Sequence, residues 1–114
     1  MFGADANAEE EGKTMSEEKT ITTERRGHVF LIGLNRPDKR NAFTMEMLHA
    51  LSAAYGEYER DESMWCALVF AHGEHFTAGL DLADVGPRVA AGETLKPEGG
   101  LDPMRILDPG TSKP

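Results

Sequence analysis

Two dense apolar runs constrain this sequence more than any other feature. The first, HVFLIGLN (28–35), sets Val29, Phe30, Leu31, Ile32 and Leu34 almost without interruption, the pattern of a strand covered on both faces. The second, MWCALVF (64–70), is a shorter strand candidate of the same kind. Between them, Leu48, Leu51, Tyr55 and Tyr58 follow at spacings of three, four and three, while Glu46, His49, Glu57 and Arg60 fall mostly on other faces. That is an amphipathic helix of about four turns, with Thr44 as its N-cap and Glu46 favoured in the first turn by the helix dipole. Ahead of the first run, TITTER (20–25) is β-branched and joined to it through RGH, consistent with an antiparallel hairpin. The order strand, strand, helix, strand, loop and helix start predicts an α/β fold whose helix carries the chain across to a neighbouring strand.

The flanks read differently. Residues 1–18 carry six acids against one base and have no periodicity, which predicts a disordered acidic tail. Met15 is a possible alternative start within it. Residues 86–114 hold five of the six prolines and five of the twelve glycines, so they read as a Gly/Pro-rich loop or linker without a long helix or central strand. The ordered part, 19–85, is then about sixty-five residues, a size that buries only about 60% of its unfolded surface. With one convincing helix for two strands that both want covering, the expectation is a part of a larger domain, or a chain dependent on partner subunits.

Charge and cysteine narrow the function. A net charge of −8 without a basic cluster disfavours nucleic acid, because neutralising phosphates supplies most of that affinity, and disfavours anionic membrane surfaces for the same reason. Cys66 is the single cysteine, so neither an internal disulfide nor a cysteine-based zinc site can form; in its apolar run it reads as a small buried hydrophobe. No apolar stretch reaches the roughly 18–20 residues of a membrane helix, and the N-terminus lacks a signal-peptide pattern. A reducing cytoplasm is the expected setting.

Two segments could carry chemistry. In HFTAGLDLADV (75–85), a small residue followed by Gly79 lets a ligand approach the backbone. If a helix begins near Leu80, its first N–H groups lack acceptors and favour negative charge, as in an oxyanion hole. The alternative is a plain strand-to-helix turn capped by Asp81. In NRPDKRNAF (35–43), Arg36, Lys39 and Arg40 could hold phosphates, or form a solvated turn balanced by Asp38. His72 and His75 in HGEH lack a third ligand at helical spacing, so no metal site is expected. The glycines match neither a dinucleotide fingerprint nor a P-loop, and no nucleophile elbow is present. Trp65 and the two tyrosines read as core or interface residues.

Taken together and in order, LNRPDKRNAF and HFTAGLDLADV closely resemble the N-terminal half of the enoyl-CoA hydratase/isomerase (crotonase) family, from about Thr20 to Val85. The resemblance implies a spiral of ββα units, represented here by its N-terminal portion and assembling into trimers or hexamers. It implies acyl-CoA thioesters as substrates, with no separate cofactor, and a thioester enolate stabilised by two backbone N–H groups. The first donor would be Leu80. Ala78, Gly79, Leu80, Asp81 and Leu82 would line the thioester and adenine end of the CoA site, with Asp81 helping to fix the loop. Arg36, Lys39, Arg40 and Ala42 match positions near the CoA phosphates and adenine. Leu80, where many members have Ala, suggests a narrower or shifted acyl pocket, and FTAGLDL looks like the dienoyl-CoA isomerase form of the loop. In hydratases, the second donor and the two glutamates that activate and deliver water lie beyond the equivalent of residue 114. Glu93 and Glu98, in the Gly/Pro-rich stretch, do not replace them. SKP (112–114) resembles the lead-in to the next buried strand. The implied protein is therefore inactive as a hydratase over these residues alone; the other expectations are a non-catalytic piece that binds CoA or assembles with a full-length relative, or a small α/β module of another kind.

Overall fold

A computed structural model describes residues 19–102 and 111–114. The expected acidic tail, 1–18, lies outside the described residues. The remaining chain forms β1 (Ile21–Arg26), β2 (Val29–Leu34), a 3-10 turn (Pro37–Lys39), α1 (Met45–Arg60), β3 (Cys66–Ala71) and α2 (Leu82–Ala90). This is the α/β architecture that the sequence predicts, opening with a ββα unit.

β2 is the central strand. It pairs antiparallel with β1, from Ile21 opposite Leu34 to Arg26 opposite Val29, which leaves Gly27 and His28 as the hairpin loop. It pairs parallel with β3, from Val29 beside Cys66 to Leu34 beside Ala71. A parallel pair needs a crossover, and α1 supplies it.

The strand pleat sends Phe30, Ile32 and Leu34 to one face, where all three are fully buried. Met45, Met47, Leu48, Leu51, Ala54 and Tyr58 of α1 meet them there. Each large apolar side chain so buried contributes about 1.5–3 kcal/mol relative to exposure. The expected α1 register holds, and Thr44 caps it: Thr44 Oγ1 accepts the Met47 amide at 3.1 Å. Asp84 of α2 adds a second acceptor, taking the Met45 amide at 2.8 Å.

Four expectations are corrected. The run 28–35 is covered on one face rather than two: Val29 and Leu31 are half-buried on the other, and Leu68 beside them is 55% exposed. The second helix starts at Leu82, two residues later than expected, with Asp81 at its N-cap. It then runs to Ala90 through Gly86 and Pro87, so the irregular segment begins near residue 91. Pro87 lacks an amide for one intrahelical bond only, and Val85, 3% exposed, anchors α2 in the core. Of the aromatic residues, Tyr58 is core, whereas Trp65 is 64% exposed and stacks on His28 at 3.7 Å. Cys66 is half-buried, not buried.

Beyond α2 the chain returns along α1. Ser52 Oγ donates to Leu101 O at 2.6 Å and Arg60 Nη1 to Gly99 O at 3.0 Å. Lys113 Nζ donates to Asp61 O and Met64 O, both at 2.8 Å, while the Ala67 amide of β3 donates to Pro114 O at 3.1 Å. No helix among the described residues is long and apolar enough to cross a membrane.

Candidate functional site

The site lies where the chain leaves β2 and β3 at their shared C-terminal end. After β2, Pro37 starts the 3-10 turn, and Arg40 and Asn41 then take left-handed backbone conformations, φ 52° and 57°. Asn is one of the few residues suited to that region, because its short amide can bond locally.

Asn41 uses every arm of that amide. Its Oδ1 accepts the Arg36 amide at 2.7 Å, and its Nδ2 donates to His72 O at 3.0 Å and His75 O at 2.8 Å. Its own carbonyl accepts Thr77 Oγ1 at 2.6 Å. Fully buried, Asn41 pins the loop after β3 onto the loop after β2. Gly73, at φ 90°, permits the close approach: a Cβ there would stand 2.7 Å from Pro37 Cβ. Between the two loops opens a cleft of about 630 Å³ lined by Pro37, Asp38, Lys39, Arg40, Gly73, Glu74, His75 and Ala78.

Beside the cleft, the second motif forms a short parallel bridge. The Phe43 amide donates to Gly79 O at 2.7 Å, and the Asp81 amide donates to Phe43 O at 2.8 Å. Successive peptide groups of extended chain point to opposite sides. The Leu80 N–H therefore faces away from Phe43, and among the described residues it has no acceptor. Leu80 is 47% exposed. Gly79 has φ 95°, with nothing within 4 Å of where a Cβ would stand. The backbone at 79–80 is thus open to approach.

Asp81 closes this geometry. Its carboxylate lies 3.0 Å from Arg36 Nη1, which also donates to Ala42 O at 2.9 Å. The hydrogen bond from Arg36, outweighing desolvation and aided by the guanidinium charge, holds the Asp81 carboxyl below the usual carboxylate range. Asp81 is the N-cap residue by position; its side chain makes no full capping hydrogen bond, although the Asp84 and Ala83 amides of the first turn lie near enough to lower its carboxyl a little further.

Of the residues singled out in the sequence, Lys39, Arg40 and Ala78 come together in the cleft wall. Arg36, Ala42 and Asp81 form a separate cluster, Gly79 and Leu80 lie on the bridge, and Leu82 opens α2 with 70% exposure. His72 and His75 diverge: His72 Nε2 meets Thr22 Oγ1 at 3.3 Å on the sheet, while His75 lines the cleft. Among the described residues, no group of three or more His, Cys, Asp or Glu could hold a metal ion. Sequence reasoning missed Asn41 and Thr77, the two residues that fasten the loops together, and the cleft roles of Glu74 and His75.

Comparison with known proteins gives a consistent picture. The family profile described as Enoyl-CoA hydratase/isomerase matches residues 29–98. The enoyl-CoA hydratase EchA19 of Mycobacterium tuberculosis is 34% identical over 83 residues, which cover 73% of this chain and 30% of that protein. Human mitochondrial Delta(3,5)-Delta(2,4)-dienoyl-CoA isomerase is 30% identical over 105 residues, covering 87% of this chain and 30% of that one. Among solved structures, a probable enoyl-CoA hydratase/isomerase from Mycobacterium abscessus superposes with a TM-score of 0.80 at 47% identity, over 84% of this chain and 37% of that chain. The chain thus spans about a third of the length of the relatives it matches.

Proposed function

Because the chain belongs to the enoyl-CoA hydratase/isomerase family, we propose that it serves reactions of acyl-CoA thioesters in fatty acid metabolism by stabilising a thioester enolate. The observation that carries this reading is the Leu80 N–H, left without an acceptor among the described residues on backbone that Gly79 keeps open. As a thioester is deprotonated at its α-carbon, or attacked at its β-carbon, negative charge builds on the carbonyl oxygen. A fixed amide aimed at that oxygen lowers the barrier, and one such donor is worth about 2.7–4 kcal/mol in comparable sites. Helix α2 begins two residues later, at Leu82, so its N-terminal dipole lies close in sequence to this donor.

Lys39 and Arg40 in the cleft wall supply cations for the CoA phosphates, and Ala78 leaves room for the nucleotide end. The exposed Leu80 side chain borders the acyl path and narrows it. The second oxyanion donor and the general acid and base belong, on this reading, to residues outside these 114, so a trimer or hexamer of the complete protein performs the full reaction. A reducing compartment such as the cytoplasm suits Cys66, which is a free thiol.

Calorimetric titration of the chain with CoA and with crotonyl-CoA tests the proposal. Lys39→Ala is expected to weaken both ligands about tenfold, the size of one charged hydrogen bond. Gly79→Trp is expected to abolish the extra affinity for the thioester. Binding that is indifferent to Gly79→Trp would overturn the assignment. The same chain should hydrate crotonyl-CoA negligibly; brisk turnover would show that these residues contain an acid and a base after all.

The open sheet face around Leu68 favours a second reading, a non-catalytic piece that assembles with a full-length relative. Co-expression distinguishes it: failure to co-purify with any related subunit removes that reading.

A further inference from the structure

We propose that Arg36 is a positioning residue, a latch that fixes the Leu80 amide by tying together the two strands of the 43–80 bridge, and not a ligand of the CoA phosphates. The inference deepens the oxyanion reading and rests on it.

The bridge itself is slight. Two backbone hydrogen bonds, Phe43 N to Gly79 O and Asp81 N to Phe43 O, join an isolated pair outside any sheet. An isolated pairing of that length does not hold its own register in water. Thr77 Oγ1 on Asn41 O and the Met45 amide on Asp84 tie the segments to either side of it, and Arg36 adds a tie at the bridge itself. A single nitrogen, Nη1, donates to Ala42 O at 2.9 Å and to the Asp81 carboxylate at 3.0 Å. Ala42 directly precedes Phe43 on one strand, and Asp81 directly follows Leu80 on the other. The guanidinium therefore spans the bridge from outside and closes a ring around it.

As a pair, Arg36 and Asp81 are the least exposed of the ion-paired side chains among the described residues, with Arg25–Asp61 (44% and 22%) and Arg88–Asp84 (35% and 34%) next. The Arg36 and Asp81 side chains are 20% and 24% exposed, against 71% and 56% for Arg26 and Glu24. A pair withdrawn from water is screened less by salt, and its geometry is more strictly held. The same withdrawal makes Arg36 a poor partner for a mobile phosphate. Lys39 and Arg40 line the cleft, and Arg36 does not. Arg36 is also held at its backbone, since its amide donates to Asn41 Oδ1 and its carbonyl accepts the Asn41 amide. The network thus runs from Asn41, through Arg36, to the residue after Leu80.

Amide hydrogen exchange on the 114-residue chain, followed residue by residue, tests the latch without any ligand. Arg36→Met should speed exchange of the Phe43 and Asp81 amides about tenfold, while the amides of β1, β2 and β3 stay within about twofold of the parent. Asp81→Asn should do the same with no change of size, and it carries the test if Arg36→Met unfolds the chain. The double variant should be no worse than the worse single one, since the two residues act as a unit. Arg36→Lys, which keeps the charge but not the planar fork, should restore part of the protection. Unchanged exchange at Phe43 and Asp81 in both single variants would overturn the proposal.

A ligand arm separates the latch from the alternative. Affinity for free CoA should be unchanged by Arg36→Met within about threefold, whereas the near-ultraviolet enolate band of bound acetoacetyl-CoA should fall about fivefold and recover in part with Arg36→Lys. A large loss of CoA affinity with normal exchange at Phe43 and Asp81 would make Arg36 a phosphate ligand and sink the latch. Should the parent chain bind neither ligand, the oxyanion reading fails, and the exchange data still decide the latch.

Discussion

Arg40 sits in a backbone conformation that its own side chain does not favour. Its φ of 52° lies in the left-handed region, where a residue with a Cβ is disfavoured by about 1–2 kcal/mol. Asn41, next to it at φ 57°, is suited to that region and is held by three side-chain hydrogen bonds. Arg40 has no such excuse, yet it lines the cleft, where a cation is what a phosphate requires. The two demands make opposite predictions for one substitution. Arg40→Gly relieves the strain while loosening the unfolded chain, so urea unfolding should show a net gain of up to about 1 kcal/mol. CoA affinity should fall in the same variant. A loss of stability would refute the strain argument, and unchanged affinity would remove Arg40 from the proposed phosphate contacts.

At the scale of elements, α1 was the most legible part of the sequence, because its cap and its 3.6-residue period are both local signals. Leu48, Leu51 and Tyr58 are buried as that period requires. The start of α2 was less legible. Asp81 looks like a side-chain cap in sequence, but its carboxylate is drawn to Arg36, forty-five positions away, and no local pattern encodes that competition. The C-terminal end of α1 combines a local partner with a distant one. Asp61 accepts Ser63 Oγ at 2.6 Å, the Ser63 amide at 3.0 Å and Arg25 Nε of β1 at 2.8 Å. The Ser63 hydroxyl first, then Arg25, lower its carboxyl to about 2. A carboxyl held below its unfolded value stabilises the fold above the unfolded pKa, about 4. That contribution is lost as pH falls through the folded value near 2. Urea midpoints taken from about pH 5 down to about pH 2 should therefore drop more steeply for the parent than for Asp61→Asn. Parallel curves would show that these contacts are too solvent-screened to matter.

For the whole molecule, the sequence conveyed the fold class, the order of elements along the chain and both loops that meet at the cleft, because hydrophobic period and turn residues are written locally. It did not convey what joins those loops. Asn41 reaches His72 and His75 across 31 and 34 positions through carbonyl groups, and a carbonyl is the same on every residue. Nor did apolar density show how many faces of the sheet are covered. Density reports how much a segment would gain from burial, and what covers it depends on elements elsewhere. Here α1 covers one face, while Leu68 on the other remains 55% exposed beside half-buried Leu31, its partner in register on β2. A contiguous apolar face of this kind promotes association. Leu68→Glu should therefore change unfolding free energy by no more than about 0.5 kcal/mol, while lowering the binding of an apolar dye and raising the concentration at which the chain self-associates. Ile32→Glu, on the same sheet but the opposite face, should abolish folding, because Ile32 is fully buried and an unpaired carboxylate there has no partner. If Leu68→Glu were as disruptive as Ile32→Glu, the outer face would have to be buried in solution, and the one-sided core described for residues 19–102 would be incomplete.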